Sequence, residues 1–345
     1  MPRRSAKKSK LNKKIKIKFQ RTLTGVLLFI GALSSLGGLT AYKTVTRPFA
    51  SAQGVSSFDI VNSDISSLLI ITVDNLNSDP VKTTGLDLVI YDKAKNKVVT
   101  FVIPLNWETD IPGRFGSEEF SKVVSLGMLN EELPEDGANL VRKAIEKNMA
   151  INVDRYLLVE EDIADSLVGL LENGKSGGML DTEVLTKLPF SIVTDLRLNE
   201  FYDMYTFVGG LPTDRFITHK ESFKFFELND YTDTILRDLT FDSKVALEKT
   251  SVAILNGTNI SGIADFSERV VTNVGGYTVA TANATGTYHE SLLVVSSLDA
   301  AVVEEIQRFF GVKKVIFKED YEGSEHVVAR ADVTLIVGFD IANTL

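Results

Sequence analysis

Apolar positions along the chain follow three patterns, and each predicts a different element. Residues 22–42, TLTGVLLFIGALSSLGGLTAY, carry no charge over 21 positions. At about 1.5 Å per residue they make roughly 31 Å of helix, which matches a hydrocarbon core of about 30 Å. One transmembrane helix is predicted. Within it, Gly31/Ser35 and Ser34/Gly38 have small-xxx-small spacing, a route by which two such helices would pair as a homodimer.

After residue 57 the apolar runs shorten to strand length. Ser67 to Val73, SLLIITV, is almost continuously apolar, as in strands buried on both faces. Leu86 to Tyr91 and Val98 to Ile103 are two more strands, joined by the polar turn 92–97 as a hairpin and stopped by Pro104. Pro134 to Asn148 carries Leu140, Val141, Ala144 and Ile145 on one stripe, with Glu135 and Asp136 at the positive end of a helix. Asp154 to Val159 is a further strand, and Ile163 to Leu171 a helix that starts beside Glu160, Glu161 and Asp162. Those acids read as a solvated helix N-terminus, with a cation site as the alternative. Strands alternating with helices indicate a layered α/β domain.

From residue 251 the pattern repeats on a smaller scale. Ser251–Leu255, Tyr277–Thr281, Leu292–Ser296, Val315–Lys318 and Val333–Gly338 read as strands. Ile263–Val274, ended by Gly275-Gly276, and Asp299–Phe310, ended by Gly311, read as helices. The reading is a small α/β unit of β-α-β-β-α-β order with both helices on one face. Asn256-Gly257 forms the tight turn after its first strand, with Gly supplying a positive φ.

Charge fixes the orientation. Residues 1–21 hold ten Lys and Arg and no acid, which keeps that end in the cytoplasm and puts the rest outside. A cleaved signal peptide is the alternative, since Ala50-Ser51-Ala52 supplies small residues at a cleavage spacing. Residues 1–43 contain eleven cations and no acids, so the remainder has 26 cations against 46 acids, a net charge of −20. A surface of that sign gives nucleic acid no footprint. There is no cysteine, which excludes disulfides and thiolate chemistry. His219, His289 and His326 lack metal-ligand spacing, and neither a Gly-x-Ser-x-Gly elbow nor a P-loop is present.

The succession SLLIITVD, KTTGLDLVIYDKAKNKVVTFVIPLN, SKVVSLG, PEDGANLVRKAIEKNMAINVDRYLLVEEDIADSL and VTDLRLNEFYDMYTFVGGLP resembles the LytR-CpsA-Psr (LCP) domain over about residues 58–242. The resemblance implies one membrane anchor, a three-layer α/β/α exterior domain, and transfer of glycopolymers from a polyprenyl pyrophosphate carrier to peptidoglycan. Such chemistry needs arginines on the diphosphate and carboxylates on Mg²⁺. Asp74 matches the first metal carboxylate. The Arg-Ser-Asp motif falls on Lys82-Thr83-Thr84, and the Arg and Asp after Ile-Pro fall on Leu105 and Asn106. The second metal position is therefore Thr84, and two phosphate-clamping arginines become Lys82 and Leu105. Lys lacks the bidentate fork and Leu offers a phosphate nothing. Asp87 takes the second acidic position only with a three-residue shift. Trp107 follows these positions and reads as a packing residue or as the lining of a ligand mouth. Segment 172–191, where the family carries Arg and Gln, has only Lys175 and Lys187.

SVAILNGTNISGIADFSERVVTNVGGYTV and VTLIVGFD closely resemble the LytR C-terminal domain, which implies binding at the wall. The organisation expected is thus a basic cytoplasmic tail (1–21), a transmembrane helix (22–42), a stalk (43–57), a degenerate LCP-like domain (58–242), a linker (243–250) and a LytR C-terminal domain (251–340). Losing several phosphate donors, at about 2.7–4 kcal/mol for each, points to a non-catalytic binding or scaffolding factor in the cell envelope. Its ligand-pocket candidates are Asp74, Lys82, Thr84, Leu105 and Trp107, and its expected partners are the membrane, polyprenyl phosphate lipid and wall glycopolymer. Two alternatives stand beside it. One is an active phosphotransferase holding Mg²⁺ on Asp74 and Asp87, and the other is a protein whose first domain only spaces the second from the membrane.

Overall fold

The computed structural model of the chain describes residues 60–113, 115–129, 133–173, 191–220 and 230–345. The tail, the membrane span with its homodimer spacing, the stalk, and Lys175 and Lys187 lie outside these residues. Among the described residues no helix is long and apolar enough to cross a membrane.

The first sheet has six strands. Ile65–Val73 (β1) pairs antiparallel with Thr83–Asp92 (β2), which forms the expected hairpin with Lys97–Val102 (β3). Two short strands, Glu108–Ile111 (β4) and Gly116–Glu119 (β5), pair separately. Arg155–Glu160 (β6) runs parallel to β1, Ile192–Thr194 (β7) closes that edge, and Phe216–His219 (β8) lies parallel to β3 at the other. The order is β7-β6-β1-β2-β3-β8.

Strand alternation sends neighbouring residues to opposite faces, and both faces are covered. Leu69, Ile71, Leu88, Ile90, Val99 and Phe101 pack with Val123 and Val124 of Phe120–Met128 (α1) and with Val141 and Ile145 of Pro134–Met149 (α2). Leu68, Ile70, Val89, Tyr91 and Val98 pack with Ile163, Leu167 and Leu171 of Glu161–Asn173 (α3). Met204 and Val208 of Leu198–Gly209 (α4) join them on that face. This explains the nearly unbroken apolar run of β1: both sets of its side chains are core. Where α1 meets α2, Gly127 and Gly137 lie against each other's helix. A Cβ on Gly137 would sit 2.7 Å from the Val124 carbonyl, and one on Gly127 2.7 Å from that of Asp136.

Asp230–Thr240 (α5) places Leu236 and Leu239 in the first core. The expected linker is partly a helix, Ser243–Glu248 (α6), capped by the Asp242 carboxylate on the N–H groups of Lys244 and Val245. Its Val245 is buried in the second core, so the segment is packed rather than merely connecting.

That second core lies on a five-stranded sheet. Ser251–Asn256 (β9), Tyr277–Asn283 (β10), Leu292–Val295 (β11), Lys314–Phe317 (β12) and Val333–Val337 (β13) lie in the order β10-β9-β13-β11-β12. The element order is therefore β-α-β-β-α-β-β: the five strands read from the sequence are all present, and the expected β-α-β-β-α-β order counted one too few. Helices Ile263–Asn273 (α7) and Ala301–Phe310 (α8) share one face, with Val270, Val271, Val302 and Ile306 in a common core. A last turn, Phe339–Ala342 (α9), adds Ile341 and Ala342, so this core reaches past residue 340.

Apart from residues 197–199, the described residues form one compact unit. Buried polar contacts join the two sheets' surroundings. Arg308 of α8 donates to Asp154, whose carboxylate also accepts from the Ser67 N–H at 2.8 Å. Asn273 donates to the Ala150 carbonyl at 3.0 Å, and Arg269 to that of Asn148 at 3.3 Å.

Candidate functional site

β1 ends at Val73, and Asp74 opens the loop that returns to β2. Its Oδ1 accepts from the N–H of Asn75 at 2.8 Å, the N–H of Lys82 at 3.0 Å and the Ser78 hydroxyl at 3.2 Å. The backbone bond from Lys82 is the main reason this carboxyl lies below its usual range. Glu160, in register with Val73 at the end of β6, accepts from the Leu76 N–H at 2.9 Å. Two carboxylates thus fasten one loop at the C-terminal ends of parallel strands, where open α/β sheets place their ligand sites. Asp74 acts as a staple of that loop through three bonds to one oxygen. The acids beside it follow the sequence reading: Glu161 and Asp162 are exposed at a helix start.

Thr84 has a distinct setting. The register runs Val73↔Thr83 and Thr72↔Gly85, so Thr84 is the extra residue of a bulge, a device that re-aims a side chain. Its hydroxyl is buried without a partner among the described residues. Lys82 is exposed. Leu105 is half-buried and packs against the first core. Trp107 is 4 % exposed with its ring 5.2 Å from that of Phe120, so it is a core residue and does not line a mouth.

Asp87 lies elsewhere. It pairs with Ile70 on β1, four residues back from Asp74, which is roughly 13 Å along the strand at 3.3 Å per residue. The structure does not bring the two proposed metal carboxylates together, and among the described residues no cluster of three or more His, Asp or Glu is arranged to hold a metal ion. Asp87 couples instead to Glu172 near the end of α3. Burial pushes the Asp87 carboxyl up to about 6, opposed by the Lys220 charge. Burial, then the Asp87 charge, pushes Glu172 up to about 7. Sequence reasoning missed this pairing because Glu172 follows directly on the apolar stripe of α3, and nothing in its spacing marks it as facing β2.

In the second sheet, a cleft of about 480 Å³ opens at the ends of β9 and β10 beside the start of α7. Asn259, Ser261, Asp265, Thr281 and Asn283 are among its lining. Asn256 shapes its rim: Oδ1 accepts from the Thr258 N–H at 2.9 Å and the Thr258 hydroxyl at 2.7 Å, and Nδ2 donates to the Ile260 carbonyl at 2.8 Å. The turn reading of Asn256 is therefore right, but the reason given for Gly257 is not. Gly257 has no positive φ. It is needed because a Cβ there would lie 2.8 Å from the Tyr288 ring and 2.9 Å from the Val337 carbonyl. The cleft offers amides, hydroxyls and one carboxylate, which suits a neutral polar ligand better than an anion.

No family model and no curated protein matches this sequence. Solved structures do resemble it. Bacillus subtilis TagV is 11% identical, with 45% of this chain and 83% of that one covered at a TM-score of 0.34. Bacillus subtilis TagT is 17% identical, with 49% and 83% covered at 0.31. The LytR-CPS2A-psr family protein YwtF (TagT) with bound octaprenyl pyrophosphate lipid is 16% identical, with 78% and 97% covered at 0.26. The chain is similar to LytR-CpsA-Psr proteins.

Proposed function

We propose that this chain is a single-pass envelope protein of LCP type that has given up phosphotransfer and acts as a binding and scaffolding factor. Its N-terminus is cytoplasmic and both sheets lie outside the cell. The observation that carries the reading is the fate of the phosphate-clamping position, where Leu105 packs against the core. The surroundings agree with it. Asp74 is engaged by its own loop, Thr84 replaces the second carboxylate, and Asp87 lies roughly 13 Å away along the strand, so the active alternative has no shared metal position.

In this reading the three-layer domain mounts the LytR-like C-terminal module rigidly, through Asp154–Arg308 and the neighbouring contacts, and the polar cleft of that module meets the wall glycopolymer. Polyprenyl phosphate is the lipid assigned to the first domain. The test is a transfer assay with a polyprenyl pyrophosphate-linked glycan, peptidoglycan and Mg²⁺. No turnover is expected, and turnover abolished by Asp74→Ala would refute the reading. Protease added to intact cells should remove the C-terminal module and spare the extreme N-terminus. Protection of the module would overturn the topology.

A further inference from the structure

The helix α4 has an outward face that the proposed function does not use. Met204 and Val208 are buried, and Phe201 and Phe207 are half-buried against the same core. Its acids are both engaged. Glu200, 1 % exposed, accepts from Arg155 Nε at 2.9 Å and Nη2 at 2.6 Å, while Asp203 accepts from Lys93 Nζ at 2.6 Å. Past the first turn, where Leu198 is also exposed, what remains outward is Tyr202, Tyr205, Thr206 and Gly209, at the i, i+3, i+4, i+7 spacing of one helix face. Tyr202 is 65 % exposed and Tyr205 39 %. On an exterior part with a net charge of −20, this is an aromatic stripe without a charge.

Lys93 also ties the stripe to the point where the chain arrives. Its Nζ donates to the carbonyls of Ile60 at 3.1 Å and Val61 at 2.8 Å, so the first described residues meet the same ammonium as Asp203. The membrane span read from the sequence ends at residue 42, leaving 43–59 as the tether to this corner of the molecule. We propose that Tyr202 and Tyr205 form the face by which the exterior part rests on the membrane, with their rings at the headgroup–acyl boundary. Tyrosine suits that depth because its ring is apolar and its hydroxyl is wet. Two side chains are too little for a stable protein interface, which buries about 1,200 Å² or more. Against a bilayer already held close by the anchor, a weak contact suffices to set orientation. The inference rests on the anchored reading above.

Because the chain lacks cysteine, Thr206→Cys and Glu322→Cys can each carry a single environment-sensitive fluorophore in the full chain, reconstituted into phosphatidylcholine–phosphatidylglycerol vesicles. Nitroxide lipids labelled near the headgroup should quench the label at 206 about twofold or more over that at 322, as expected at the interface. Tyr202→Ser with Tyr205→Ser should remove that difference. Equal quenching at both positions in chain that floats with the vesicles would overturn the proposal while leaving the anchor intact. Chain that fails to float would overturn the anchor, and this inference with it.

Discussion

Replacing Arg308 by alanine tests the rigid mount. The guanidinium is 14 % exposed and sits between Asp154, 1 % exposed, and Glu305, 12 % exposed, bonding Glu305 at 3.0 and 3.1 Å. Removing one partner of a buried pair costs about 3–5 kcal/mol, because a charge is left without compensation. Here Asp154 keeps its two bonds from Ser67, and burial already pushes the Glu305 carboxyl upward, so Glu305 can take a proton. Both effects soften the loss to about 2–3 kcal/mol for Arg308→Ala. The double change Arg308→Met with Asp154→Asn leaves only Glu305, which can take a proton, and should cost about 1 kcal/mol less than the single one. The assay is urea and thermal unfolding of the full chain in detergent. The parent should unfold in one transition, as a single compact unit does. The alanine variant should lower the midpoint by about 4–10 °C and separate the C-terminal module into an earlier step. A change under about 0.5 kcal/mol, the noise of an ordinary surface substitution, with one transition kept, would refute the idea that this contact joins the two parts.

Two further predictions concern the first domain. Asp87 has a folded-state carboxyl near 6 against 3.8 in the unfolded chain. Its stabilising contribution is thus fully present below pH 4 and is lost as pH rises through 6, by about 1–3 kcal/mol. Asp87→Asn should flatten the urea-midpoint curve between pH 4 and 7, and an unchanged slope would count against burial outweighing the Lys220 charge at this carboxyl. Gly137→Ala should destabilise by about 1–3 kcal/mol, since its Cβ would meet the Val124 carbonyl at 2.7 Å. Gly209→Ala, with nothing within 4 Å, is the control and should be neutral or stabilising in the same denaturation series.

Much of the architecture was readable because burial on both faces leaves a plain pattern. The run Leu68 to Val73, the hairpin at 92–97 and the α2 and α3 stripes all fall within a few residues of their observed bounds. Glycine was read correctly at Gly275 and Gly311, where a positive φ ends a helix. It was misread at Gly257, where close packing sets the requirement and only three-dimensional neighbours reveal it. All five C-terminal strands were legible, including the half-exposed edge strand Lys314–Phe317, read as Val315–Lys318; the β-α-β-β-α-β order left one of them out of its count. The site was harder still. Motif alignment singled out Asp74, Lys82, Thr84 and Leu105 as candidates, but the Thr84 bulge, the capture of Asp74 by its own loop and the nearness of Asp87 to Glu172 depend on register and burial. Trp107 had two readings in sequence, and contact with Phe120 decides for packing.

The central claim is that no metal–diphosphate site remains, and lipid binding tests it most directly. The apolar residues of the α3 face, Leu68, Ile70, Val98, Leu167 and Leu171, are buried in one core, and a prenyl chain taken up among them would be held in proportion to area, at about 25 cal/mol per Å². Titration of the full chain with polyprenyl monophosphate and polyprenyl pyrophosphate, with Mg²⁺ and with EDTA, should give affinities within about tenfold, or 1.4 kcal/mol, and little response to the metal. A strong preference for the pyrophosphate that EDTA abolishes would contradict the account.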